Sequence, residues 1–146
     1  MGEQIYFEDI SVGYEIPTVV REKVLLYDNV RFAGAIDNYV AYFYDEAFAK
    51  DIGMTGVWVA SPQLGAYMIS AITNWIGEWG TLKKLSIRNA MPTYVGDAII
   101  FKGKVTKKYI EEGENYVDLD VSLENQRGEV TNPGKAVVTL PSRPSK

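Results

Sequence analysis

The sequence predicts an α+β domain with helices on one face of an antiparallel sheet. Two observations carry the prediction. The first half repeats its apolar residues at helical period and ends in one long, well-marked helix. After Gly80 the apolar residues recur at period two, punctuated by tight turns. The 146 residues fit a single domain, 1–146, with 137–146 ending in a flexible tail, "PSRPSK".

The elements follow in order. "YFEDISVGYEIP" opens the chain and turns at Gly13, and "VVREKVLLYD" suits an extended or a helical conformation. In "NVRFAGAIDNYVAYFYDEAFAKDIG", residues Phe32, Ile36, Tyr39, Phe43 and Ala47 recur at helical spacing. That predicts one or two short helices, with Gly53 as the stop. The clearest helix comes next. Ser61 is a good N-cap and Pro62 suits the first helical position. Leu64, Met68, Ala71 and Trp75 share a face, with Tyr67 and Ile72 beside them. "GEWG" ends this helix after roughly four turns. Period two then takes over in "LKKLSIRNAM", "AIIFKGKVTKKY", "NYVDLDVSLENQ" and "GKAVVTLP". Turns are expected at "TYVGD", "EEGEN" and "TNPGK", so the strands should form a meander.

Composition removes several classes of function. Hydrophobic residues make up 47% and aromatic residues 12%, enough for one core. The net charge of -4, with no basic stripe, argues against nucleic acid as a partner. The chain has no cysteine and no histidine. Disulfides, thiolate sites and cysteine nucleophiles are therefore excluded, and a metal would need carboxylates alone, so no metal site is expected. Ser61 has no histidine to activate it, which removes a serine-hydrolase reading. "MGEQIYFEDI" lacks the build of a signal peptide, and no apolar run approaches the ~20 residues of a membrane span. A cytoplasmic protein that does not engage the membrane is expected.

Several strings resemble the MaoC-like dehydratase branch, the (R)-specific enoyl-CoA hydratases, of the hot-dog fold. "YFEDISVGYEIP" is similar to the family's opening. "MPTYVGDAIIFKGKV" resembles its "P-V-x-x-G-D-x-L" turn and following strand, on Pro92, Gly96 and Asp97. "SPQLGAYMISAITNWIGEWG" stands where the family has its central helix. The resemblance covers roughly residues 5 to 141 and implies a single hot-dog domain, an antiparallel sheet wrapped around a long central helix. It also implies hydration or dehydration of acyl thioesters of coenzyme A or acyl carrier protein, with no cofactor beyond the thioester itself. The family's signature, "D-x-N-P-x-H-x-D", supplies an Asp and a His that activate water and handle the α-proton. Backbone N–H groups at the start of the central helix hold the thioester oxygen.

The signature should fall in "AIDNYVAYFYDEAFA". Counting back from "YDEAFA" without a gap puts Asn38 at the aspartate and Phe43 at the histidine. An alternative register keeps Asp37 as the acid and puts Tyr42 at the histidine. Neither retains an imidazole, the usual base near neutral pH. Phe43 transfers no proton, and an Asn orients water without accepting its proton. The resemblance therefore implies a catalytically degenerate subunit that shapes an acyl-CoA site, as a homodimer or in a heteromer with a His-bearing MaoC-like subunit. Two alternatives stand beside it. One is an active hydratase or thioesterase using Asp37 or Asp45 with a tyrosine. The other is a non-enzymatic acyl-CoA binding module. Tyr42, Asp45, Ser61, Gln63 and Gly65 are the candidate substrate-binding residues. "TNWIGEWG" also resembles degradative hydratases that accept bulky acyl groups. A free sheet edge adds the expectation of a dimer or higher oligomer.

Overall fold

The computed structural model describes residues 3–145. Five strands form one antiparallel sheet: β1 (Glu15–Arg21), β2 (Thr81–Ile87), β3 (Ile99–Glu111), β4 (Glu114–Glu124) and β5 (Val130–Thr139). Their spatial order is β1-β3-β4-β5-β2. The helices are α1 (Leu26–Ala35), α2 (Glu46–Asp51) and α3 (Ser61–Ile76), with 3₁₀ turns at Phe7–Asp9 and Ala41–Phe43.

The core lies between α3 and one face of the sheet. Leu64, Met68, Ala71, Ile72 and Ile76 of α3 share a buried cluster with Phe101, Val105, Leu119, Leu123 and Val138. The expected stripe on α3 is therefore the buried one, with Tyr67 and Trp75 packed at its margin. Strand burial alternates as period two requires, with Val117, Leu119, Val121 and Leu123 all buried on β4. Register shifts between Val105 and Lys107 on β3, and between Ile16 and Val19 on β1, bend these long strands.

Both ends of α3 are built differently from the sequence expectation. The N-cap is Ala60, not Ser61, and no side chain caps the helix; Pro62 does occupy the first turn. At the other end Gln4, far away in sequence, acts as the cap. Its Nε2 donates to Ile76 O (2.8 Å) and its Oε1 accepts from Trp79 N (3.1 Å). A Cβ on Gly77 would lie 2.6 Å from Gln4 Oε1, so glycine there makes room for this cap.

The meander is partial. β3, β4 and β5 follow one another through hairpins, but β2 joins the far edge beside β5 and β1 the opposite edge. "TNPGK" is not a turn: Thr131 to Lys135 lie within β5. Gly134 pairs with Ile87, and a Cβ there would sit 2.6 Å from Ser86 O, so this glycine marks a close approach of two strands. Pro133 keeps its carbonyl in use, accepting from Arg88 N just past the end of β2, where its missing N–H costs no β2 ladder bond. The β4–β5 reversal is made instead by Asn125, whose Oδ1 accepts from Arg127 N and Glu129 N.

The "TYVGD" turn does form, and it clamps the stretch that follows β1. Asp97 Oδ2 accepts from Tyr94 N, while Gly96 N donates to Val24 O and Val24 N donates to Asp97 O. At the C-terminal end, Val137 to Thr139 are strand. Beyond them, Pro141 O accepts from Phe7 N, and Arg143 pairs with Asp9. Among the described residues, no helix is long and apolar enough to cross a membrane.

Candidate functional site

Residues 22 to 60 connect β1 to α3 and bring the signature stretch to the start of α3. α1 ends in a hydrogen-bonded reversal of Schellman type: Asn38 N donates to Ala33 O (3.0 Å) and Asp37 N points to Gly34 O (3.5 Å). This geometry needs a left-handed residue after the helix, and Asp37 supplies it with φ 53°. The chain then runs irregularly to the 3₁₀ turn at Ala41–Phe43. Gly53 (φ 89°) ends α2 in the same way, with Met54 N bonded to Ala49 O. The expected stripe from Phe32 to Ala47 is thus broken after Ile36. Tyr39 is 60% exposed, and Ala49 rather than Ala47 is buried. Local hydrogen bonding at Asp37 overrides the helical period.

These turns close a small cleft of about 10 Å³, roughly the room for one water. It is lined by Asn29, Phe32, Ala33, Ile36, Asn38, Phe43, Ala60 and Gln63. Both residues of the ungapped register, Asn38 and Phe43, face it. Asp37 and Tyr42 of the other register do not line it. Asp37 is exposed at its turn, and Tyr42 lies against the Phe43 ring at 4.5 Å between centroids.

The remaining candidates divide. Gln63 is 4% exposed, lines the cleft and donates from Nε2 to Tyr67 Oη (3.3 Å). Asp45 is exposed and caps α2, its Oδ1 accepting from Phe48 N (3.0 Å). Ser61 is exposed and does not line the cleft. Gly65 faces β2: a Cβ there would meet Ile87 Cδ1 at 3.7 Å, an ordinary contact, so space alone does not demand a glycine. Gln63 N and Leu64 N both donate to Ala60 O and Pro62 has no N–H, which leaves Ser61 N–H as the first-turn donor for a ligand oxygen.

Sequence reasoning missed Asn29. It is 2% exposed, and its Nδ2 donates to both Phe43 O and Trp58 O at 2.8 Å. It therefore ties the 3₁₀ turn to the strand-like segment before α3. The two carbonyls fix the orientation of the amide, because a flip would set oxygen against oxygen. Its Oδ1 is buried without a partner. The signal was available: Asn29 stands on the same face as Phe32, Ala33 and Ile36, one polar residue on an apolar stripe. Next to it, Asp28 Oδ1 accepts from Arg21 (2.6 Å) and its Oδ2 from Leu25 N. Burial pushes the Asp28 carboxyl up, but the bonds from Arg21 and Leu25, with the charges of Arg21 and Arg31, outweigh it and hold it below the usual range.

Chemically, the cleft offers three carboxamides and no ionisable side chain. It can orient a carbonyl, a hydroxyl or a water, and it has no group to take or give a proton. A wider trough of about 830 Å³ lies on the opposite face of the sheet, but two of its cations are already paired, Lys102 with Glu124 and Lys135 with Asp120.

No protein-family model matches the chain, and no curated protein matches its sequence. Solved structures do match. The (R)-hydratase PhaJ1 from Pseudomonas aeruginosa superposes with a TM-score of 0.86 at 20% identity, over 96% of this chain and 88% of that one. The MaoC-like dehydratase from Rhodospirillum rubrum gives 0.83 at 20%, over 97% and 99%. The ChsH1-ChsH2 complex from Mycobacterium tuberculosis gives 0.77 at 20%, over 89% and 98%. The chain thus has the α+β hot-dog fold, and its structural neighbours are MaoC-like dehydratases and (R)-hydratases.

Proposed function

We propose that this chain is an acyl-thioester (enoyl-CoA) hydratase-type subunit that has lost its proton-transfer pair and shapes the acyl-CoA site of a heteromeric hydratase. One observation carries the reading: the cleft at the start of α3 is lined by Asn38 and Phe43, the pair that the ungapped register sets against the signature's Asp and His, and contains no ionisable side chain. A hydratase needs a base poised near neutrality, and general acid–base catalysis contributes about 100- to 10,000-fold. In the ungapped register Phe43 would stand in for the imidazole, and the cleft it lines has room for little more than a water.

What remains is suited to binding. Ser61 N–H and the positive end of the α3 dipole would hold the thioester oxygen, and the Gln63 and Asn38 amides would orient the polar end of the acyl group. The partner is a His-bearing subunit of the same fold, a reading supported by ChsH1-ChsH2 among the neighbours, itself a complex of two named chains. The alternative of a carboxylate–tyrosine site is less well supported, since neither Asp37 nor Asp45 lines the cleft and Asp45 Oδ1 already caps α2 through Phe48 N.

The test is enzymatic. The chain alone is expected to bind an acyl-CoA without hydrating an enoyl-CoA, and to raise turnover when mixed with its His-bearing partner. Turnover by the isolated chain at the rate of an ordinary (R)-hydratase overturns the reading.

A further inference from the structure

We infer that the outer face of the sheet, turned away from α3, docks against the same face of a second copy of this chain. This is independent of the thioester reading, because the cleft lies on the other side of the sheet. On β4, Val117, Leu119, Val121 and Leu123 are buried, so Tyr116, Asp118, Asp120 and Ser122 point outward. Their cross-strand partners on β3, which share their face, are Tyr109, Lys107, Lys104 and Lys102. The β3 stripe is therefore basic and the β4 stripe acidic. The charges continue onto the flanking strands, with Glu15 of β1 beside Lys104 and Lys135 of β5 beside Asp120. Across the sheet one row runs Glu15, Lys104, Asp120, Lys135, negative and positive in turn.

Reversing the order of such a row exchanges every sign. A two-fold axis parallel to the strands, between β3 and β4, makes that reversal. It sets Lys104 over Asp120 of the second copy and Glu15 over Lys135 of the second copy, and symmetry repeats each contact. The same axis sets Lys107 over Asp118 of the second copy and Tyr109 over Tyr116 of the second copy. A two-fold axis along the row itself would set like charge on like. The pattern thus selects one arrangement of the two sheets.

Opposite charges on adjacent strands also stabilise a single sheet. Here that need leaves charges over. Among the described residues, Glu15, Lys104 and Lys107 form no ion pair. Lys135 and Asp120 do meet, at 3.4 Å, but both side chains are largely exposed and open to further partners. Stacked sheets lie about 10 Å apart, a gap that a lysine and an aspartate reaching from opposite sides can close. The trough of about 830 Å³, which Lys104, Asp120 and Lys135 line, has room for the lysine stems of the second copy and for bridging water. Contacts of this kind give selectivity more than strength, so the pairing should be weak and sensitive to salt.

Sedimentation equilibrium of the purified chain tests this, with circular dichroism to check that each variant folds. The dissociation constant of the parent chain is expected to rise at least about 10-fold between about 50 mM and about 500 mM NaCl. Lys107→Glu should weaken association at least about 10-fold at low salt, because it sets Glu over Asp118 at two symmetric points. Lys107→Glu combined with Asp118→Lys exchanges the signs and should recover the parent constant within about 3-fold. The only other strand partner in that row is Val137, so the exchange creates no like pair across the sheet. Pairing through a sheet edge would respond to neither variant. Association indifferent to salt and to Lys107→Glu overturns the proposal. So does a double variant that associates no better than the single one, or a mass that stays that of one chain at every concentration.

Discussion

The stretch from α3 to the end of β5 and the stretch from residue 22 to residue 60 are held by different forces. In the first, apolar period governs: Met68, Ile72, Val117 and Val138 are completely buried, and each lies where helical or strand spacing puts it. In the second, more than half of the large apolar side chains that the described residues leave exposed are gathered, including Tyr27, Val30, Tyr39 and Ile52. Its shape rests on a few polar devices: the reversal at Asp37, the Asp45 cap and the two bonds from Asn29. The cleft is built on this second region, with only Gln63 drawn from the first. A region that joins the core through a few residues, Val24 and Val59 among them, and otherwise leans on hydrogen bonds can change its chemistry with little disturbance to the core. It also leaves an apolar surface suited to a partner.

The contrast can be sharpened by experiment. The largest effect is expected from chemistry placed in the weakly packed region. Asn38→Asp combined with Phe43→His installs an ionisable pair in the cleft and removes the ring that fills it. Hydration of an enoyl-CoA, followed by loss of enoyl absorbance, should rise at least about 100-fold above the buffer rate that the parent chain shows.

Stability separates the two regions next. Met68→Ala removes a fully buried side chain from α3 and should lower unfolding free energy by about 3 kcal/mol, read from urea denaturation. Ile52→Ala, at a position 52% exposed, should cost no more than about 0.5 kcal/mol. Asn29→Leu tests the polar devices themselves. It strips the donors from two buried carbonyl contacts and should cost about 2 kcal/mol. Limited proteolysis should then cut between residues 36 and 45 before the core unfolds.

The smallest effect is electrostatic. A carboxyl whose folded value lies below 3.8 contributes stability that is complete above that value and is lost as pH falls through the lower one. Unfolding free energy should therefore drop on acidification below about pH 4, and Asp28→Asn should flatten that part of the profile.

Much of this molecule was legible in its residues. α3 was readable because Pro62 marks its start and Leu64, Met68 and Ala71 mark its face. β3, β4 and β5 were readable because one face of each carries buried residues, whereas β1, with Ile16 alone buried, read only as an entry segment running into an extended or helical stretch. Strand order was not, since a period of two says which face is inside and nothing about which neighbour is beside it. That is why β2, sequentially next to β3, could sit at the far edge unannounced. "TNPGK" misled because Pro and Gly usually mark turns, whereas here Gly134 admits a neighbouring strand. At the site, the resemblance of "YDEAFA" to the family's frame pointed to Asn38 and Phe43 in one register and to Asp37 and Tyr42 in the other; the first two line the cleft. Asn29 escaped notice because its importance comes from Phe43 O and Trp58 O, which only the folded chain brings to it.

The most direct measurement is steady-state hydration of an enoyl-CoA by the purified, unmodified chain, run beside the (R)-hydratase PhaJ1. A subunit without a proton-transfer pair should give no turnover above buffer. Turnover of the same order as that enzyme's would contradict it.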